Sequence, residues 1–135
     1  MEEAVPEWRY RSSSTRAWRL KVLELESERQ ESGAIDESTE KYYREAMHAA
    51  AQQCGPDHPE VAEAATYLAD LLMHFQRYVE AEALYRRAMQ IYAATHGDEH
   101  MVYSMALRNL AVAMKARGKT EAAERLRQQA RNIFG

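Results

Sequence analysis

The residues best suited to bind a metal ion lie in two short stretches of the sequence. They are Asp57, His58, His96, Asp98, Glu99 and His100. Imidazole and carboxylate groups are common zinc ligands, but all ligands of one ion lie within ~2 Å of it. His58 and His100 occupy the same place in two copies of one repeated pattern, which would hold them ~20 Å apart if helices pack ~10 Å apart. His96 and His100 lack an obvious third ligand, so we interpret all six as turn and capping residues.

Nucleophilic and phosphate-binding chemistry have no matching motif in the sequence. Cys54, the only cysteine, precedes a turn that contains His58, but nothing around it indicates an electropositive pocket. The serines at 12–14 lack the glycine elbow of a serine hydrolase, and no glycine-rich phosphate loop occurs. Carboxylates are abundant, but their spacing places them on solvated helix faces. We therefore predict a non-catalytic protein that needs no cofactor.

A repeat of 42 residues organises the sequence from Gly55 onward. Small and large residues return together at this offset. The matching pairs include Gly55 and Gly97, His58 and His100, Leu68 and Leu110, Ala69 and Ala111, Ala81 and Ala123, and Ala88 and Ala130. A fixed period of this kind indicates stacked supersecondary units, each of which packs against its neighbours. Such units commonly form binding surfaces, so the pattern favours a binding function.

The spacing within one unit resembles the tetratricopeptide repeat. Leu68-Ala69-x-x-Leu72 fits its first helix, and Ala81-x-x-x-Tyr85-x-x-Ala88 fits its second. The period is longer than the usual ~34 residues. With its G-P-D-H-P opening and A-L-Y-R-R-A-M ending, the unit is similar to the repeats of kinesin light chains. The resemblance is close over 55–96, fair over 97–135 and partial before residue 55.

This resemblance implies an all-α fold, a right-handed stack of antiparallel helix pairs (a TPR α-solenoid) with about three units. We place the units at about 14–54, 55–96 and 97–135, behind an N-terminal arm at 1–13. Helices are predicted near 14–33, 36–53, 59–75, 78–95, 100–117 and 120–134. The first unit is degenerate, because Glu26 and Ser27 stand where the Leu-small pair is expected. Ion pairs are predicted between Glu40 and Arg44, and between Glu82 and its neighbour four residues later, Arg86.

The last two predicted helices, with the turn between them, carry a local excess of positive charge. Only Glu121 and Glu124 balance their basic residues, which are Arg108, Lys115, Arg117, Lys119, Arg125, Arg127 and Arg131. Arg127 replaces the aromatic residue expected there, which suits a capping face with no following repeat. Basic residues can bind phosphates or an acidic protein surface. Because no aromatic residues alternate with them to stack on bases, we favour protein partners and consider nucleic acid unlikely.

Composition bounds the remaining possibilities. The 135 residues form one predicted domain with a formal net charge of −3, too small to draw it to nucleic acid or a membrane. No apolar run approaches the ~20 residues of a membrane span, and no apolar segment near Met1 indicates a secretory signal. The Arg- and Ser-rich stretch at 9–19 would suit an organellar presequence, but the acidic residues at 2, 3 and 7 argue against one. We therefore predict a cytoplasmic protein and leave organellar import open.

Two aromatic residues stand out in the arm. Trp8 and Tyr10 lie in a segment without helical periodicity. Large aromatic side chains are costly to leave in water. We expect them to contact either a helix face of this chain or a partner, and a solvated tail is the alternative.

In tetratricopeptide proteins the first helix of each pair lines a concave groove, and the resemblance implies the groove residues of this chain. They are Glu63, Thr66, Asp70 and Met73 in the second unit, and Met105, Arg108, Val112 and Lys115 in the third, with Asn109 as a peptide-binding amide. Their charges make the groove acidic in its middle and basic toward its C-terminal side. The expected ligand is an extended or helical segment with acidic residues over Arg108 and Lys115 and an apolar anchor beside them. Alternatively, these residues only keep a solvated face soluble.

Two functions of different kinds follow. The first is a small scaffold subunit of a larger protein assembly, and the second is an adapter that binds a peptide in the groove. Three units form only a short groove, which favours the scaffold. The kinesin-light-chain resemblance suggests a cytoskeletal or ciliary assembly, although similar repeats also occur in soluble regulators of many kinds.

Overall fold

The computed structural model describes residues 37–98 and 100–134, together with the isolated positions Glu24, Ser27 and Glu28. Residues 37–98 and 100–134 form five helices and no strands, which confirms the all-α prediction. They are α1 (Glu37–Cys54), α2 (Pro59–His74), α3 (Tyr78–Thr95), α4 (Met101–Ala116) and α5 (Thr120–Phe134). Each lies within one or two residues of its predicted bounds. The predicted arm and most of the predicted helix at 14–33 fall outside the described residues.

Histidine residues cap the N-termini of two of the helices. The Nδ1 atom of His58 accepts a hydrogen bond from the backbone N–H of Glu60 at 3.0 Å, at the start of α2. His100 accepts one from Val102 at 3.1 Å, at the start of α4. Such bonds satisfy backbone donors that have no partner in the first turn. The capping role expected for this repeated pair is therefore confirmed.

Each helix packs against the next one along the chain, so that α2 with α3 and α4 with α5 form two antiparallel pairs. Small residues are buried between the packed helices. Ala69 and Ala81 are fully buried and Ala88 nearly so. Leu68 and Leu72 fill the space beside them within one apolar cluster that joins α1 to α5. The period of the small and large residues thus fixes how the units stack.

Charged residues connect the units. Glu40 and Arg44 form the predicted ion pair at 3.0 Å. The predicted pair of Glu82 and Arg86 is wrong, because the Glu82 carboxylate binds Arg117 and Lys119 instead. Glu82 is buried on the face of α3 that turns toward the next unit, whereas Arg86 points into solvent. The Glu82 carboxylate therefore contacts the segment between α4 and α5 and not Arg86 of its own helix.

Among the helices of the described ranges, none is both long and apolar enough to span a membrane.

Candidate protein-binding surfaces

A depression of about 430 Å³ lies between α2 and α4, with α3 behind it. We call it the concave groove. Five residues predicted from the sequence line it together: Glu63, Thr66, Asp70, Met105 and Asn109. On α2 and on α4 these residues are spaced by three or four positions, which places them on one face of each helix. The structure thus unites the acidic half of the predicted site with its amide and with Met105, one of its two methionines.

Asp70 is held at the edge of the concave groove by a residue from the next helix. The phenol group of Tyr85 donates a hydrogen bond to the Asp70 carboxylate. Burial raises the pKa of Tyr85, and the adjacent carboxylate raises it further. The phenol therefore stays protonated and keeps donating, which orients Asp70. Together with Glu63, Asp70 gives the groove a negative charge.

Sequence reasoning missed the apolar lining of the concave groove. It is formed by Tyr67, Tyr92, Val102 and Ala106. Tyr67 is half buried, and its ring lies 6.4 Å from that of Tyr43, measured between ring centres. Tyr92 belongs to the second helix of its pair, which the resemblance does not assign to the groove. The signal that could have found it is its position seven residues after Tyr85, which puts both on one face of α3.

The basic residues predicted for the groove line a different surface. Arg108 and Val112 meet Arg127 and Arg131 in a depression of about 460 Å³ between α4 and α5. A neighbouring depression extends it past Lys115. We call the surface formed by Arg108, Val112, Lys115, Arg127 and Arg131 the end face. Arg131 forms an exposed ion pair with Glu124 at 3.3 Å. The acidic residues predicted for the groove therefore line the concave groove, whereas the predicted basic residues lie on the adjacent end face.

Met73, also predicted for the groove, lines neither surface as defined. It is half buried and packs against the main apolar cluster. Trp8 and Tyr10 lie outside the described residues, so the role predicted for the arm stays a prediction.

The histidines between α3 and α4 lie close together without forming a recognisable metal centre. The ring centres of His96 and His100 are 5.0 Å apart. Burial lowers the pKa of His96, and the nearby His100 lowers it further. Over the part of the chain that the structure describes, no group of three or more His, Cys, Asp or Glu side chains could hold a metal ion. Glu99, the remaining candidate, lies outside that part.

Stacked antiparallel helix pairs that repeat every 42 residues and enclose a groove define an α-helical repeat protein. Residues 60–134 match the family model described as tetratricopeptide repeat, and the chain belongs to that family. Its members generally mediate protein–protein interactions and are typically non-catalytic. None of the curated proteins matches the sequence. The similarity to the kinesin-light-chain variant stays a prediction.

Proposed function

We propose that this protein is a non-catalytic scaffold subunit of a larger protein assembly, and that its concave groove holds a segment of a neighbouring subunit. The observation that carries this proposal is the concave groove itself. It joins Glu63 and Asp70 of α2 to Met105 and Asn109 of α4 around a largely apolar lining. A pocket with an apolar lining and a few polar groups at its edge is typical of a binding site.

The groove chemistry indicates the kind of segment that would fit. An apolar side chain of the partner would rest on Tyr92 and Met105. The negative charge of Glu63 and Asp70 favours a basic residue at the opposite edge. The amide of Asn109 can donate to and accept from a peptide backbone, which suits an extended segment. The acidic ligand residues predicted from the sequence would instead lie over Arg108 and Lys115, beyond the groove on the end face.

An exposed apolar stripe on α4 favours a subunit over an adapter that uses the groove alone. Met101, Met105 and Val112 are 57%, 56% and 58% exposed. They are separated by four and seven residues, so they lie along one face of the helix. The stripe continues from the concave groove to the end face. A partner that covers both would bury it, whereas a short peptide in the groove would cover only Met105.

Affinity capture with quantitative mass spectrometry tests this proposal. The groove variant combines Met105→Glu with Asn109→Ala. The matched control is Val79→Glu, which alters a side chain of similar exposure, 62%, away from the groove. We expect the control to retain the wild-type partners and the groove variant to lose at least one of them.

The amounts of the captured proteins separate the two functions. Several partners in stoichiometric amounts support a scaffold subunit, and one substoichiometric partner supports the adapter. If the groove variant retains every partner, the groove is not the binding site. As part of the same proposal we place the assembly in the cytoplasm, where the resemblance to kinesin light chains would make it cytoskeletal or ciliary.

A further inference from the structure

The end face is the third-unit copy of the surface on which α4 packs. Four residues of α2 and α3 lie on the side of the second unit that faces α4: Thr66, Asp70, Tyr85 and Met89. Thr66 and Asp70 line the concave groove together with Met105 of α4. Met89 packs against the apolar cluster of Tyr103 and Leu107, and Tyr85 shares a cluster with Leu110 and Met114.

The same four positions recur 42 residues later as Arg108, Val112, Arg127 and Arg131. These are the four residues that line the depression between α4 and α5. Among the described helices, none packs on this copy. Val112 is 58% exposed, and the Arg131 side chain is 55% exposed. The end face thus corresponds to a helix-packing surface that no described helix covers.

The side chains of the end face differ in charge from those at the equivalent positions of the second unit. Tyr85 and Met89 are replaced by Arg127 and Arg131, and Arg108 and Lys115 add two more positive charges. The acidic groups of α5 are Glu124, which pairs with Arg131, and Glu121 in its first turn. Positive charge therefore exceeds negative charge around an apolar centre at Val112. A helix with the apolar face of α4 alone would add no negative charge to offset this excess.

We propose that the end face docks an acidic amphipathic helix of a partner protein, in the position that α4 takes on α2 and α3. Small apolar side chains of that helix pack on Val112, and its flanking carboxylates pair with Arg108, Arg127 and Lys115. Arginine binds carboxylates in a two-pronged geometry, which makes such pairs specific as well as attractive. An amphipathic helix in a groove is a common mode of peptide recognition.

The observations favour a protein helix over two other possible occupants of the end face, which are nucleic acid and a second copy of this chain. Single-stranded nucleic acid is usually bound by stacking its bases on exposed rings, and Tyr103, the one aromatic side chain described in α4 and α5, is buried. A second copy that met this chain face to face would bring the two sets of cations together, and like charges repel.

A synthetic helical peptide tests this docking site on the full chain. The Glu peptide has about 18 residues, which exceeds the length at which isolated helices are marginal. It carries Leu and Ala at i, i+3, i+4 and i+7 and Glu at the flanking positions. A matched Gln peptide has Gln at every Glu position. Fluorescence anisotropy measures binding of both, and we expect the Gln peptide to bind at least about ten-fold more weakly.

Two charge-reversed variants locate the binding. The end-face variant is Arg127→Glu with Arg131→Glu, and its control is Arg86→Glu with Arg125→Glu, which changes the net charge equally at exposed positions elsewhere. We expect the end-face variant to bind the Glu peptide at least about ten-fold more weakly than the control does. Val112→Glu, an exposed position whose change spares the core, provides a second variant and should weaken binding similarly.

Three outcomes would overturn the proposal. In the first, the control and both end-face variants bind the Glu peptide equally well. In the second, a single-stranded oligonucleotide of the same charge binds as tightly and competes with the peptide, which would make the site a general polyanion surface. In the third, sedimentation shows a dimer that Val112→Glu dissociates, so that the occupant is a second copy of this chain. Circular dichroism of each variant confirms that it retains the helical fold.

Discussion

Glu82 of α3 accepts a hydrogen bond from Lys119 across the boundary between the second and third units, at 3.2 Å. Both residues lie 42 positions after a pair that does the same one unit earlier, Glu40 and Arg77. In each case an acidic residue near the start of a second helix binds a basic residue just before the second helix of the next unit. The repeat thus carries its own inter-unit ion pair.

The first prediction follows from the electrostatics of Glu82. Burial raises the pKa of its carboxyl group, but the hydrogen bonds from Lys119 and Arg117 outweigh this effect and lower the pKa below the ordinary value of 4.5. Because the pKa is lower in the folded state, the Glu82 carboxylate stabilises the fold fully at any pH above its pKa in the unfolded chain. This contribution is lost as the pH falls through the pKa of the folded state. We expect Glu82→Gln to reduce the free energy of unfolding at pH 7 by about 1–3 kcal/mol.

The pH dependence separates this effect from simple loss of packing. Urea unfolding of the wild type and of Glu82→Gln should converge as the pH falls below about 4.5, because the wild-type carboxylate then becomes protonated. Glu121→Gln is the control, since that residue is exposed in the first turn of α5. A difference that persists undiminished at pH 3 would show that the ion pair is not its cause.

The second prediction concerns the close approach of helices at Ala88. This side chain is 1% exposed. Ala88→Leu adds three carbon atoms where the packing has no room, and we expect it to lower the free energy of unfolding by about 1–3 kcal/mol. Ala93→Leu, at a half-buried position near the end of α3, should cost less than half as much. Thermal unfolding of both variants checks this, and equal effects would argue against the repeat register.

The helix boundaries were predictable because punctuating residues mark them. Gly55 and Gly97 adopt positive φ angles of 100° and 92° between units, and Pro59 occupies the first position of α2. Such positions depend on local backbone geometry, which is encoded in the residue type itself. Matched small residues then gave the stacking, because their spacing repeats.

The partners of individual side chains were not predictable in the same way. A rule for residues four apart compares Glu82 only with Arg86 of its own helix, whereas the structure offers two cations from the next unit. Likewise, spacing placed Arg108 and Met105 on one face of α4. In the structure that face borders two depressions: Met105 lines the concave groove with residues of α2, and Arg108 lines the end face with residues of α5.

The third prediction concerns the capping histidines. His58→Ala removes the acceptor for the Glu60 backbone N–H, and we expect a loss of about 1 kcal/mol in the free energy of unfolding. His58→Asn should restore part of the stability, because asparagine is a good N-cap residue. Denaturant midpoints measure both. If His58→Asn is as unstable as His58→Ala, then packing of the buried ring rather than capping explains the loss.

The last prediction concerns the basic side of the predicted site. Arg108→Glu with Lys115→Glu reverses two charges on the end face while leaving the lining of the concave groove unchanged. We expect a partner recovered by affinity capture to bind this variant at least about ten-fold more weakly at physiological salt, if it contributes acidic residues there. Arg86→Glu with Arg125→Glu, which changes the net charge equally, should bind almost as well as the wild type.

Comparison with the groove variant, Met105→Glu with Asn109→Ala, then assigns the surface. A partner lost only with Arg108→Glu and Lys115→Glu binds the end face, and one lost only with the groove variant binds the concave groove. A partner lost with both spans the exposed stripe of α4 that joins the two surfaces, as expected for a subunit held among neighbours. Undiminished binding by both variants would show that neither the concave groove nor the end face is the binding site.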